Sequence, residues 1–315
     1  MAGTSEAVPN LIMAISNFPS IRLEEWRPTK NTLHLYCQIV GKIRLTLHPR
    51  LNHWWHVPLY VSPRGLTTRP IPYAGGNFEI EFDFKDHFLR ITTSAGRSED
   101  FGLFDGLSVA DFYSSLFLNL GKLGIECEIR AIPYEAPTTV PFAEDQENKS
   151  YDKRYVEKFH RTLVAVDDIF EEFRGRFIGK STPVHLFWHS FDLALTRFSG
   201  KPAAVSADAN RVNREAYSHE VISFGFWFGD DNVYEPAFYS YTAPEPEGLS
   251  SEALRPAEAK WQEGNGSHMA LLMYEDVRNS VDSHSMVLTF LESAYRAGAH
   301  RAGWDVDGFA LKPLI

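Results

Sequence analysis

Apolar positions along the chain follow two periods, and each period predicts its own kind of element. Leu33, Tyr36, Ile39, Val40, Ile43 and Leu47 fall at helical spacing and predict a helix over 31–47, ended by Pro49. Residues 54–62 read as extended. Over 78–84 the alternation is strict: Phe78, Ile80, Phe82 and Phe84 face inward, while Glu79, Glu81 and Asp83 face outward. A tight turn at 85–87 then leads into a second strand, making a hairpin. Ser108 caps a helix that has Asp111 in its first turn and carries Phe112, Leu116, Leu120 and Leu123. Residues 127–134 predict one more strand, and the Pro-rich, then acidic stretch 135–150 marks an internal boundary.

Beyond that boundary, Phe159, Leu163, Val166, Phe170, Phe173 and Phe177 form one stripe and predict the longest helix, over 152–178. Residues 183–200 read as a strand, 217–242 as a hairpin turning between Gly229 and Asn232, and 242–268 as a Pro/Glu-rich loop. A short strand at 270–277 and a closing helix over 283–301 complete the chain. Hairpins with only occasional helices argue against a doubly wound parallel sheet. The expected fold is therefore α+β, with mainly antiparallel sheets packed by long helices. Residues 1–18 read as a loose arm and 19–310 as a single domain.

The two long predicted helices share a motif. Each runs into a Gly-Lys pair, Gly41-Lys42 and Gly179-Lys180. Each pair is followed by Trp-His, at Trp55-His56 and Trp188-His189, with an arginine eight residues beyond the histidine, Arg64 and Arg197. The match allows an internal pseudo-duplication with halves 20–135 and 150–310. On a strand, positions eight apart share a face but lie roughly 26 Å apart, so no small ligand spans the His and Arg of one half. Were the two strands antiparallel about a pseudo-twofold axis, His56 would approach Arg197 and Arg64 would approach His189.

Composition narrows the chemistry. Aromatic residues make up 14% of the 315, enough for deep pockets walled by flat rings. A net charge of −10 argues against nucleic acid, whose phosphates need a basic face. The two cysteines give neither a disulfide framework nor a CxxC pair, and no eighteen apolar residues run together. With no basic, apolar leader at the start, a reduced cytoplasmic compartment and no membrane partner are expected. Phosphate-binding glycine loops, GxSxG, HExxH and EF-hand loops are absent.

What remains is a concentration of His, Arg, Trp and Glu on three segments that read as core strands. His185 and His189, on one strand face, would sit some 13 Å apart, too far to share a metal; on a helix, that spacing would chelate zinc. The strand reading is favoured. His53 and His56 point to opposite strand faces and make a poor metal pair. Glu220 shares a face with Ile222, Phe224, Phe226 and Phe228, where a carboxylate needs a partner or becomes an acid or base of raised pKa. Each residue also has a structural use open to it: backbone-satisfied histidines, an arginine paired with Asp192 or Glu220, tryptophans in the core. Burying so many ionisable groups is costly, and that favours a chemical use for them.

The segments 32–45, 52–68, 183–200, 215–227 and 235–242 (TLHLYCQIVGKIRL, NHWWHVPLYVSPRGLTT, PVHLFWHSFDLALTRFSG, EAYSHEVISFGFW and EPAFYSYT) together resemble a family of uncharacterised bacterial and fungal proteins, a domain of unknown function. The resemblance spans most of residues 20–300 and implies one family-wide domain, with no catalytic residue to carry over.

The function expected from the residues is metal-independent acid/base chemistry, hydrolase or lyase in kind, on a small anionic, partly apolar molecule, with no cofactor. His56, His189 and Glu220 would move protons. Arg64 and Arg197 would hold the anion, with Trp54, Trp55, Trp188, His185 and His219 walling the pocket. Two alternatives stand beside it: a binding protein using the same pocket without chemistry, and a metal-dependent hydrolase drawing on His53, His56, His185, His189 and His219.

Overall fold

The computed structural model describes residues 18–204, 208–264 and 266–312; apart from Phe18, the expected arm lies outside them. The chain opens with helix α1, Leu23–Leu47, which is buried without a break from Leu33 to Arg44. A helix buried all round must sit between layers rather than on a surface. The first sheet follows: β1 (Tyr60–Val61), β2 (Gly65–Thr67), β3 (Ile71–Tyr73), β4 (Gly76–Asp83), β5 (Phe88–Thr93) and β6 (Ser98–Gly102). Its order is β1-β2-β4-β5-β6, with β3 also paired to β4. Helix α2, Val109–Lys122, packs Phe112 onto Phe82 and onto Tyr36 of α1, whose ring stacks on it at 4.0 Å.

Helix α3, Lys153–Gly175, leads to the second sheet. Its strands are β7 (His185–Phe187), β8 (Asp192–Pro202), β9 (His219–Trp227), β10 (Ala237–Ala243), β11 (Lys260–Gly264) and β12 (Ser267–Met273), in the order β11-β12-β10-β9-β8-β7. A short helix α4 (Arg211–Ala216) sits between β8 and β9, and α5 (Tyr274–Asn279) and α6 (Ser283–Arg301) end the fold. All pairings are antiparallel among the described residues, and the architecture is α+β. No described helix is long and apolar enough to cross a membrane. Among the described residues the two sheets share one main-chain bridge, where Leu59 and Leu186 exchange hydrogen bonds of 2.9 and 2.8 Å.

Five expected elements differ: the expected loop 242–268 carries β11 and the first residues of β12, the strand expected over 270–277 ends at Met273 where α5 begins, and three more depart further. The stretch expected to be extended over 54–62 starts at the end of a 3-10 turn, Asn52–Trp54, and has only two strand residues. His53 and Trp54 both take positive φ there, 54° and 62°, which breaks any strand. Residues 127–134 join no sheet; Gln38 of α1 holds them instead, its amide donating to Tyr134 O (2.7 Å) and accepting from Tyr134 N (2.9 Å). Residues 183–200 are a hairpin rather than one strand, because the chain reverses between Phe187 and Asp192 with Phe191 at φ 57°. The helix over 283–301 falls where periodicity places it.

The second sheet carries two chemically different faces, set by the period of two. Leu193, Leu195, Phe224, Phe226 and Phe238 pack under α3 and α6, with Phe173 on Phe224 at 4.9 Å and Phe170 on Phe238 at 6.4 Å. Asp192, Thr196, Phe198, Ser223, Tyr239 and Tyr241 occupy the opposite face, which borders a cavity instead of packing under α3 and α6. Above it runs the C-terminal half of α1, where Gly41 makes room for the Trp188 indole. A Cβ built at Gly41 would stand 2.1 Å from Trp188 Cδ1. Trp188 Nε1 donates to Val57 O at 3.0 Å, which closes the contact.

Gly41→Ala gains about 1 kcal/mol of helix propensity but drives a methyl into the Trp188 ring. The net expectation is a loss of about 1–3 kcal/mol in urea unfolding followed by circular dichroism. Unchanged stability would mean that the indole does not rest on α1.

Candidate functional site

A cavity of about 1320 Å³ lies between the uncovered face of the second sheet and the α1 side of the molecule. The sheet contributes Asp192, Thr196, Phe198, Tyr239 and Tyr241, and the opposite wall includes Lys42, Trp55, Arg130, Tyr134 and the turn Trp188-His189-Ser190. Gly225 on β9 lets a tyrosine ring lie across the floor: a Cβ there would come within 2.2 Å of Tyr239 Cζ.

At the hairpin turn the polar side chains form a chain. Ser190 Oγ donates to Asp192 Oδ1, and Tyr239 OH donates to Asp192 Oδ2. Since the serine proton is committed to the carboxylate, the 2.9 Å contact between Ser190 Oγ and His189 Nδ1 is a hydrogen bond given by Nδ1–H. That tautomer leaves the Nε2 lone pair of His189 for another partner. Burial pushes the His189 imidazolium down in pKa and the Asp192 carboxyl up, while the charge of each partner works against those shifts. The backbone oxygen of His189 accepts from His34 Nε2 at 3.0 Å, and His34 stacks on Phe191 at 5.0 Å, so the turn is fixed from behind.

On the other wall Lys42 is 8% exposed, with Nζ 5.5 Å from the centroid of the Trp188 ring. Burial, and then the nearby Arg130, lower its pKa, and no carboxylate pairs with it among the described residues. The His189 ring lies 6.0 Å from the same Trp188 ring. Cation and imidazole therefore flank one indole.

The structure brings together only part of the expected set. His189, Trp54, Trp55 and Trp188 line the cavity. His56 does not: its Nδ1 accepts from Leu51 N at 3.2 Å, and its ring stacks on Trp54. Arg64 lies in the turn between β1 and β2, bound to Asp83 (2.7 Å) and Asp86 (2.5 Å). Arg197 is on the covered face of the second sheet, 2% exposed, with its guanidinium 3.6 Å from the Phe173 centroid and 4.5 Å from that of Tyr295. It donates to Phe173 O in the last turn of α3, and burial pushes its pKa down to about 10. A cation on helix-terminal carbonyls is a structural anchor. Neither pairing imagined across the two halves, His56 with Arg197 or Arg64 with His189, is present.

Glu220 also sits on the covered face, accepting from Ser199 Oγ (2.8 Å) and Trp304 Nε1 (3.0 Å). His219 contacts Ser218 Oγ at 3.1 Å, and its ring is 5.6 Å from that of His53. Among the described residues no three His, Cys, Asp or Glu side chains gather as metal ligands. His185 is fully buried against Phe187 and Tyr60, and both its ring nitrogens lack a hydrogen-bond partner in the described structure.

Asp192, Ser190, Tyr239, Lys42 and Arg130 are absent from the set expected from sequence. The alternation of Tyr239 and Tyr241 in FYSYT, and Lys42 in the Gly-Lys pair, are the available signals. Asp192 has none as long as 183–200 reads as one strand.

A family model described as a family of unknown function (DUF5996) matches residues 18–311, and the chain belongs to that family. No curated protein and no solved structure matches it.

Burial, with the charges of Arg44 and Arg69 adding to it, pushes His185 down to about pH 3 from an ordinary value of 6.5. A base lowered on folding leaves stability intact above about 6.5 and removes it as pH falls toward 3, because the unfolded chain binds the proton first. By pH 5 the loss is about 2 kcal/mol for this one group. Between pH 7 and 5, His185→Leu should therefore lose about 2 kcal/mol less than the unaltered protein in urea titrations. Equal losses would refute a buried neutral imidazole.

Proposed function

We propose that this member of a family without assigned activity is an enzyme that moves a proton on a small molecule carrying an anionic group and an apolar body. The observation that carries the reading is the chain Tyr239–Asp192–Ser190–His189, ending in a neutral imidazole with a free Nε2 beside a cavity. Such a group is a general base, oriented through a hydroxyl by a carboxylate that stabilises the imidazolium once formed. Lys42 and Arg130 supply the positive charge for the anion, in place of the arginines expected from sequence. Trp188, flanked by Lys42 and His189, is the surface on which an apolar ring would lie between them.

A general base can be tested without knowing the natural reaction, by exchange of carbon-bound hydrogen for deuterium. Phenylpyruvate carries a carboxylate and an aromatic ring on either side of a ketone and a methylene that the ketone acidifies, and its benzylic proton signal disappears in D2O as exchange proceeds. The protein is expected to accelerate that loss, and His189→Gln to reduce the acceleration by about 10²–10⁴-fold. Lys42→Met is expected to raise the phenylpyruvate concentration needed for half-maximal rate. Exchange that survives His189→Gln would overturn the assignment. Binding of phenylpyruvate without any acceleration would favour a carrier that uses the same cavity without chemistry.

A further inference from the structure

The second Gly-Lys pair leads to a different piece of chemistry. Residues 180–182 run beside β8: Phe198 N donates to Lys180 O at 3.0 Å, Thr182 N to Thr196 O at 2.9 Å, and Ser181 bridges Arg197. Side chains alternate along such a pairing, so Ser181 shares the covered face with Arg197, while Lys180 and Thr182 stand on the cavity face beside Phe198 and Thr196. Lys180 Nζ lies 4.8 Å from the centroid of the Phe198 ring and 5.4 Å from that of Trp55. Both rings line the cavity, as does His53.

His53 is the amine's hydrogen-bond partner. Its Nδ1–H donates to Glu215 O at 3.1 Å, so Nε2 carries the lone pair, and Lys180 Nζ donates to it at 2.8 Å. This geometry is held at a cost, since His53 and the following Trp54 both adopt the left-handed conformation that L side chains avoid. Around the pair stand the His219 ring, 5.6 Å from His53, and Glu215, whose carboxylate is bound to Arg50. No carboxylate forms an ion pair with Lys180 among the described residues. Lys180 is itself exposed, yet its amine is tied to a neutral imidazole and rests on aromatic rings at the edge of the cavity rather than on a carboxylate.

We propose that Lys180 is a carbonyl-reactive amine, with His53 as its base, that forms a Schiff base with aldehydes or ketones of the kind an aromatic-walled cavity admits. His53 Nε2 takes a proton from the Lys180 ammonium, and the freed lone pair forms a bond to the carbonyl carbon. The carbonyl π electrons pass to oxygen, which takes a proton from the imidazolium. The nitrogen of this carbinolamine then loses its second proton in net terms to the departing oxygen, the C–O bond breaks, and water leaves. The balance is ammonium plus carbonyl giving a protonated imine plus one water. Partial desolvation lowers the pKa of Lys180, which favours the neutral amine that the first step requires, and that of His53, which leaves its imidazole neutral and open to accept the Lys180 proton.

The inference is independent of the His189 reading, and its test reads Lys180 alone. The full chain is incubated near neutral pH with benzaldehyde and sodium cyanoborohydride, which reduces the imine to a stable secondary amine, and labelled lysines are located by peptide mass spectrometry. Lys180 is expected to label several-fold faster than Lys201 and Lys260, exposed lysines without an imidazole partner. His53→Asn keeps a residue tolerant of the left-handed backbone while removing the imidazole, and should return Lys180 to the rate of the two controls. Lys180→Arg should abolish the fast label. Equal labelling of all three lysines in the unaltered protein would overturn the proposal. So would selectivity for Lys180 that persists in His53→Asn.

Discussion

Two main-chain hydrogen bonds between Leu59 and Leu186 decide where everything at the site can be. They join β1 of the first sheet to β7 of the second, so that the segments leaving α1 and α3 meet edge to edge. One residue upstream of Pro58, Val57 offers its carbonyl to Trp188; one residue downstream of Leu186, Phe187 begins the turn that carries His189 and Ser190. The exchange therefore sets the Trp188 indole against Gly41, and with it the distance between Lys42 and His189. In both halves a long helix precedes the strand that meets its counterpart here, although the strand orders beyond diverge.

Desolvation sorts the ionisable residues into those that hold the fold and those that remain for chemistry. Arg197 is as buried as any core residue, but it has helix-end carbonyl and aromatic faces to compensate, and it points away from the cavity. Arg64 has two carboxylates. Lys42, buried in the cavity wall, has only a tryptophan face, while Lys180, exposed, has a neutral imidazole and two rings. Burying a charge without a counter-charge costs free energy that a purely structural residue would not be kept to spend. The difference between Arg197 and Lys42 lies in their partners rather than in their burial, and it marks where an anion would be welcome.

Sequence periodicity reaches the fold class and the long helices because five apolar residues in one helical stripe, as in α3, fit no strand. It reaches β4 in the same way, since strict alternation over seven residues (78–84) fits no helix. It fails at 183–200, where apolar residues run through a reversal and the chain reads as one strand although it folds back at Trp188 to Phe191. That single error hides Asp192, which pairs opposite Phe187 rather than continuing past it. Parity does hold within β8: Arg197 shares the face of Leu193 and Leu195, which sends it to the core and not to a ligand. Pairings across α1, such as Gln38 with Tyr134, link residues 96 positions apart, and no local pattern encodes them.

The corners that period-based reading misses are also where the polar groups converge. His53, Trp54 and Phe191 all take positive φ, and none is glycine. Such residues persist only where the surroundings over-determine them. Around His53 the hold comes from Glu215 O and Lys180 Nζ; around Phe191, from the stack of His34 and from the 5.2 Å stack on Phe159. A strained corner presents its neighbours at a fixed angle that a relaxed strand, with side chains alternating to opposite faces, does not give. His189 and Ser190 precede Phe191 and Asp192 follows it, and only a reversal at that point brings consecutive residues onto one hydrogen-bonded chain. The strain at Phe191 and the alignment of His189 with Asp192 are thus one feature of the backbone, seen first as geometry and then as chemistry.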